Sequence, residues 1–290
     1  MYRIVSSRLV GGSGIVVIAL IAVAAVTTSK AEAASASGSG GAGAIPVSGS
    51  AASHPALSDL ATITAALPGD RVTARMLDRK VIESAEAALR AVTHRVKRSS
   101  HADALRTAFQ AYYNFRYANP DAVRKPFLYY VDMGLDNRTA RGYVFDMDQL
   151  TVIEGPFTVA HGRGSARTRD AVPSSFSNRP GSNATSLGLY LGQETYSFNG
   201  KLAGRRYSAV GLRMRGESGD FNGAARARGI VAHGAPYVTA AGAGRSEGCP
   251  AMEMDRARRL LPMIANGGVV FIYSPNDSRW LSNDPWILDG

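Results

Sequence analysis

Apolar residues recur at helical spacing between residues 77 and 113, and from residue 125 onward they gather into short runs separated by turn residues. Leu77, Val81, Ala85, Leu89, Val92 and Val96 share one helical face, and Asp70 stands where an N-cap would accept the first free amides. Leu105, Phe109, Tyr112 and Tyr113 predict a second helix following Ser99 or Ser100, its aromatic stripe serving as packing surface. Beyond Lys125 the β-rich runs cover 127–133, 142–147, 151–160, 187–196, 207–214, 229–233 and 269–273. This texture predicts a mainly β fold, a mostly antiparallel sandwich or partly closed barrel with a few helices, preceded by a small helical region. About 150 residues suffice for a substantial core. Segments 161–186 and 234–248 carry Gly, Ser, Asn and Pro without periodicity and are expected as loops walling a cleft.

The first 53 residues have a different composition. Arg3 and Arg8 precede an uncharged apolar run, 14–26, and Ala31-Glu32-Ala33 fits a small-x-small cleavage site, so residues 1–33 are expected to be a signal peptide or an uncleaved anchor. Membrane contact is expected only through that segment, and the body of the protein is expected in the periplasm or cell envelope. Residues 34–68, rich in Ala, Ser and Gly, read as a tether. The expected divisions that follow are a helical region at 69–124, a β-rich domain at 125–275 and a C-terminal tail at 276–290. The formal charge is +10, and removing residues 1–33 leaves the chain basic. A basic surface suits an anionic wall polymer, or simply aids solubility. An exported chain with no nucleic-acid recognition motif is not expected to bind nucleic acid. Oligomeric state is not legible.

Chemistry narrows to the single cysteine, Cys249, in Arg245-Ser246-Glu247-Gly248-Cys249-Pro250-Ala251. A lone thiol in an oxidising compartment is either buried and inert or kept for reactivity. Pro250 favours the first position of a helix, so residues 250–261 read as a helix whose N-terminus would stabilise the Cys249 thiolate. That would matter, because a thiol at its reference pKa is only about 3% ionised at pH 7. The Gly248 and Cys249 amides are candidate oxyanion donors, and Glu247, of the wrong sign, is expected to face solvent. His233 ends the apolar run 230–232, Gly234 allows a turn after it, and together they suit a base for the thiol sixteen residues later. One Cys and one His leave a zinc site half filled, and no metal or organic cofactor is expected. The absence of a second cysteine argues against a redox sensor.

His233-Gly234 followed by Ser246-Glu247-Gly248-Cys249 resembles the HG…SxGC signature of the L,D-transpeptidase catalytic domain. Val159 to Gly162, Ser175 to Asn178, Pro180 to Ser182, Ser186 to Gly188 and Gly244 to Ala251 resemble its murein L,D-transpeptidase branch, over roughly residues 125–275. The resemblance implies a Cys249 nucleophile and a His233 base acting on peptidoglycan stem peptides. The acyl group would come from the L-centre of diaminopimelate, with release of D-alanine. A neighbouring stem amine would give 3-3 crosslinks, water would give a carboxypeptidase, and a protein lysine would give wall attachment; sensitivity to carbapenems is implied too. A noncatalytic wall-binding module is the alternative of a different class. Commoner members place an arginine two residues after the cysteine, where this chain has Ala251, and Arg245 is the candidate replacement. Ser246 is expected to shape the loop, Ser186 and Asn178 to line the cleft, and His161 to be either cleft-lining or structural.

Overall fold

The computed structural model describes residues 71–168 and 170–288. The expected signal segment, the tether and the Asp70 cap lie outside the described residues. Helix α1, Arg71–Val92, leads through a short 3-10 turn to α2, Ala104–Ala118. Strands β1 (Phe127–Asp132), β2 (Gly142–Asp146) and β3 (Thr151–Phe157) form a meander. A two-residue β4 (His161–Gly162) and a loop precede the long hairpin β5 (Gly188–Leu202) and β6 (Arg205–Gly216). Then come β7 (Val231–Gly234), the short β8 (Val238–Thr239), β9 (Gly242–Ala243) and β10 (Arg245–Ser246), and β11 (Ala251–Met252). Helix α3 (Met254–Ile264), β12 (Val269–Tyr273) and a single turn, α4 (Ser278–Leu281), complete it.

One mixed sheet of order β11-β7-β6-β5-β12-β1-β2-β3 carries the fold, so the mainly β expectation holds. Five of its seven pairings are antiparallel; β1 with β12 and β7 with β11 are parallel. All of β12 and nearly all of β1 are buried, as strands covered on both faces require. Alternation and register assign the two faces. Leu128, Tyr130, Tyr143 and Phe145 share one face, where Phe109 of α2 meets Phe145 edge-on at 5.3 Å. Tyr129 and Phe157 stack on the other, where Arg256 of α3 lies 4.7 Å above the Phe157 ring.

Three boundaries differ from the sequence expectation. The second helix starts at Ala104, because Ser100 donates to buried Asp132 through its hydroxyl (2.6 Å) and amide (2.8 Å), and the Ser99 hydroxyl turns back to the His101 carbonyl. Both N-terminal helices enter the same hydrophobic core as the sheet, through Val81, Ala85, Phe109 and Phe115. The expected tail at 276–290 is also part of that core as far as it is described: Trp280 is fully buried with its Nε1 donating to Asp284 at 2.6 Å, and Trp286 packs edge-on against Phe115 at 4.8 Å. Among the described residues no helix is long and apolar enough to cross a membrane.

Candidate active site

The expected helix at 250–261 is replaced by something else around Cys249. Strand β7 would otherwise leave an unpaired edge, and the residues after the cysteine fill it. The His233 amide donates to the Pro250 carbonyl at 3.4 Å, Ala251 pairs with His233 and Met252 with Gly234. Ala160 bridges Ala251 from the other side, and α3 begins only at Met254, after Glu253. Cys249 is therefore not at a helix N-cap and receives no helix-dipole stabilisation.

What replaces the helix is a strand-end clamp. In this register Cys249 enters the parallel pair two residues before the partner of His233. The half-buried thiol is 3.9 Å from the Gly229 carbonyl and takes a backbone N–H from Val231. Burial pushes the Cys249 pKa up, against the Val231 amide and the Arg228 guanidinium, which pull it down; the Glu247 charge adds slightly to the rise. Glu247 nonetheless faces outward and is engaged by Arg163 at 2.7 Å, as expected of a carboxylate that would oppose ionisation. The Ser246 hydroxyl donates to the Cys249 carbonyl at 2.6 Å and accepts the Gly248 amide at 3.1 Å, closing the turn on itself. That bond occupies the Gly248 N–H, which is consequently not a free oxyanion donor. Gly248 has φ +125°, and a Cβ there would lie 2.9 Å from Ile230 Cδ1 and 3.0 Å from the Ala184 carbonyl oxygen.

His233 is 8% exposed. Its Nδ1 is 3.0 Å from the Gly234 carbonyl, an acceptor only, so Nδ1 carries the hydrogen and Nε2 is the basic atom. Burial lowers the His233 pKa, against the Gly234 hydrogen bond, and Phe198 meets the ring edge-on at 5.7 Å. Cys249 and His233 thus each favour the neutral form.

Residues 96–273 match the family described as L,D-transpeptidase catalytic domain. The chain belongs to this family. No curated protein matches it. Among solved structures it is similar to an L,D-transpeptidase from Mycobacterium smegmatis, with 13% identity over 51% of this chain and 58% of that one (TM-score 0.32). A structure of the L,D-transpeptidase LdtMt1 in complex with imipenem gives 12% identity over 51% and 59% (TM-score 0.33). An L,D-transpeptidase from Xylanimonas cellulosilytica gives 12% over 51% and 61% (TM-score 0.30). The chain thus spans about three fifths of each.

Several residues of this transpeptidase domain stand apart from the expected cleft. Arg245 is exposed and reaches the Ala166 carbonyl at 3.5 Å. His161 is fully buried, with Nδ1 3.0 Å from Nη2 of Arg141, so it is structural and not cleft-lining. Ser186 is also fully buried, its hydroxyl bonded to Tyr190 at 2.7 Å. Asn178 ties its loop to the Asp220 carbonyl and the Ala224 amide and borders a cavity of about 220 Å³ with Phe176, Leu187, Phe221 and Arg279. None of the residues bordering that cavity belongs to the Cys249 turn or to β7. Tyr237, within electrostatic reach of Cys249, borders a more open groove of about 510 Å³ together with Arg138, Asp170 and Thr239. Sequence reasoning missed Arg228, the guanidinium whose charge acts on the sulfur. Its only signal was the position just before the run leading to His233. Among the described residues no group of three or more His, Cys, Asp or Glu side chains is placed to hold a metal ion.

Proposed function

We propose that the chain is an exported peptidoglycan L,D-transpeptidase in which Cys249 is the nucleophile and His233 the base. One observation carries the reading: the Gly234 carbonyl fixes the His233 tautomer with Nε2 basic, on the strand that clamps the segment leaving Cys249. The thiol attacks the carbonyl at the L-centre of a stem-peptide diaminopimelate while His233 takes the sulfur proton. The tetrahedral oxyanion collapses, His233 returns the proton to the departing D-alanine amine, and a Cys249 thioester remains. A neighbouring stem amine then attacks the thioester, forming the 3-3 amide and releasing the thiol. The same thioester resolved by water would make the protein a carboxypeptidase. Nothing in these steps calls on a cofactor.

The test is intact-mass spectrometry of the wild type, Cys249→Ala and His233→Ala after incubation with a disaccharide tetrapeptide and, separately, with a carbapenem. A covalent adduct on the wild type with release of D-alanine supports the reading, and the products separate crosslinking from trimming. A folded wild type that neither ligand modifies refutes it and leaves a wall-binding module as the better account.

A further inference from the structure

The Cys249 turn lacks the helix dipole its sequence suggests, and Arg245 points elsewhere. One guanidinium remains whose charge acts on the sulfur, that of Arg228. Arg228 immediately precedes Gly229, whose carbonyl is 3.9 Å from Sγ. Its Nη1 donates to the Ser177 carbonyl at 2.7 Å and the Ser186 hydroxyl at 3.3 Å, and its Nη2 to the Ala184 carbonyl at 2.8 Å and the Ser182 hydroxyl at 3.1 Å. All four acceptors lie in residues 177–186, and that Ala184 oxygen would touch a Cβ at Gly248. The loop therefore lies close enough to the nucleophile turn that the arginine's own acceptor leaves no room for a side chain at Gly248.

The acceptors are all neutral. No carboxylate lies within ion-pair distance of Arg228 among the described residues, whereas Arg226, two positions earlier, is paired with Glu194 at 3.2 Å. A half-buried guanidinium satisfied only by carbonyls and hydroxyls keeps its field, and the titratable groups it acts on are Tyr190 and Cys249. The other groups whose charge couples to the sulfur are Glu247, exposed and held by Arg163, and the phenols of Tyr190, Tyr196 and Tyr237, with neutral His233 on the adjoining strand. Arg228 is the sole cation in this set.

We infer that Arg228 is the positioning residue of this site, holding the 177–186 loop against the Cys249 turn and supplying the positive charge beside the sulfur. The inference deepens the proposed reading of Cys249 as nucleophile and rests on it for its functional meaning. Its test, however, reads the sulfur alone. Cys249 is the only cysteine, so the pH dependence of iodoacetamide alkylation of the full chain, followed by intact mass, reports this one ionisation. Arg228→Gln should slow alkylation about fivefold at pH 7 and move the profile to higher pH. Arg228→Lys, which keeps the charge but not the fork, should stay within about twofold of wild type. Ser182→Ala, which removes an acceptor and keeps the charge, and Arg226→Gln, which makes the same charge change at a paired site, should leave the profile in place. The inference is overturned if Arg228→Gln superimposes on wild type, or if Arg228→Lys or Ser182→Ala moves the profile as far as Arg228→Gln does. Should Arg228→Gln fail to fold, Arg228→Lys is read against wild type: a rate at pH 7 within about twofold supports the inference, and a slowing of about fivefold or more overturns it. Failure of the enzyme reading shows separately, as absence of an acyl adduct.

Discussion

Acidification from pH 7 to pH 5 should destabilise the fold through His161. Arg141 is a donor only, so its contact at 3.0 Å makes His161 Nδ1 the acceptor and places the ring hydrogen on Nε2. A second proton would have to sit on Nδ1 against a guanidinium, in a residue with no solvent exposure. Burial, reinforced by the charges of Arg141 and Arg245, pushes the His161 pKa from 6.5 down to about 3. Arg141 is itself lowered to about 10, by burial, and stays charged throughout this range. A histidine with a depressed folded pKa contributes stability that is present above its unfolded value near 6.5 and is lost as pH falls from there toward 3. At pH 5 the unfolded chain takes up a proton the native state refuses, which costs about 2 kcal/mol. For a domain of this size that corresponds to a fall in melting temperature of about 4–8 °C. His161→Asn retains an acceptor for Arg141 and removes the titration. Urea unfolding of both proteins at pH 7 and pH 5 should show the gap between the two conditions about 2 kcal/mol smaller in the variant. If wild type and His161→Asn lose the same stability on acidification, the assignment of His161 as a buried neutral acceptor is wrong.

Other perturbations have equally direct readouts. Because burial raises the Cys249 pKa, wild-type alkylation by iodoacetamide should reach its half-maximal rate at a pH above that of a free cysteine peptide measured alongside; a midpoint at or below the peptide's would contradict the neutral resting pair. Gly248→Ala places a methyl group against Ile230 and the Ala184 carbonyl at φ +125°, so a loss of about 1–3 kcal/mol is expected in thermal unfolding together with slower acylation by a carbapenem, and wild-type behaviour in both would show that the turn is not constrained. Trp280→Ala should cost about 3–5 kcal/mol, and a change under 1 kcal/mol by urea unfolding would mean residues 276–288 are an appendage after all.

The two His-Gly pairs show what the sequence could and could not reveal. Both end β runs and both precede glycine, and only the family signature separates His233 from His161. The structure separates them by partner: a carbonyl acceptor fixes one tautomer in His233, and an arginine donor fixes the opposite tautomer in His161. No periodicity carries that information, because the partners come from the next residue in one case and from twenty residues away in the other. The strands were legible, since burial on a sheet imposes apolar runs. The misread helix at Pro250 has a similar origin. A proline after an extended residue suits a helix start, but it also suits a sheet edge that needs no amide from it, and the open edge of β7 decided between them. Arg245 was favoured for its nearness in sequence to Cys249, whereas Arg228 is near only after β7 and the 177–186 loop have come together.

The place of β12 in the sheet has a consequence for how the molecule is made. It hydrogen-bonds β5 on one side and β1 on the other, and so joins the meander that ends at β3 to the half that holds β7 and β11. On a growing chain, residues 127–157 and 188–252 can each begin to pair among themselves, yet they have no common sheet until residues 269–273 arrive. Assembly is thus gated by an element that follows both groups in the chain, with β1 waiting some 140 residues for its parallel partner, a long-range closure of the kind that slows folding. A truncated chain lacking that strand would retain Cys249, His233 and His161 while its two groups of strands no longer shared one continuous sheet.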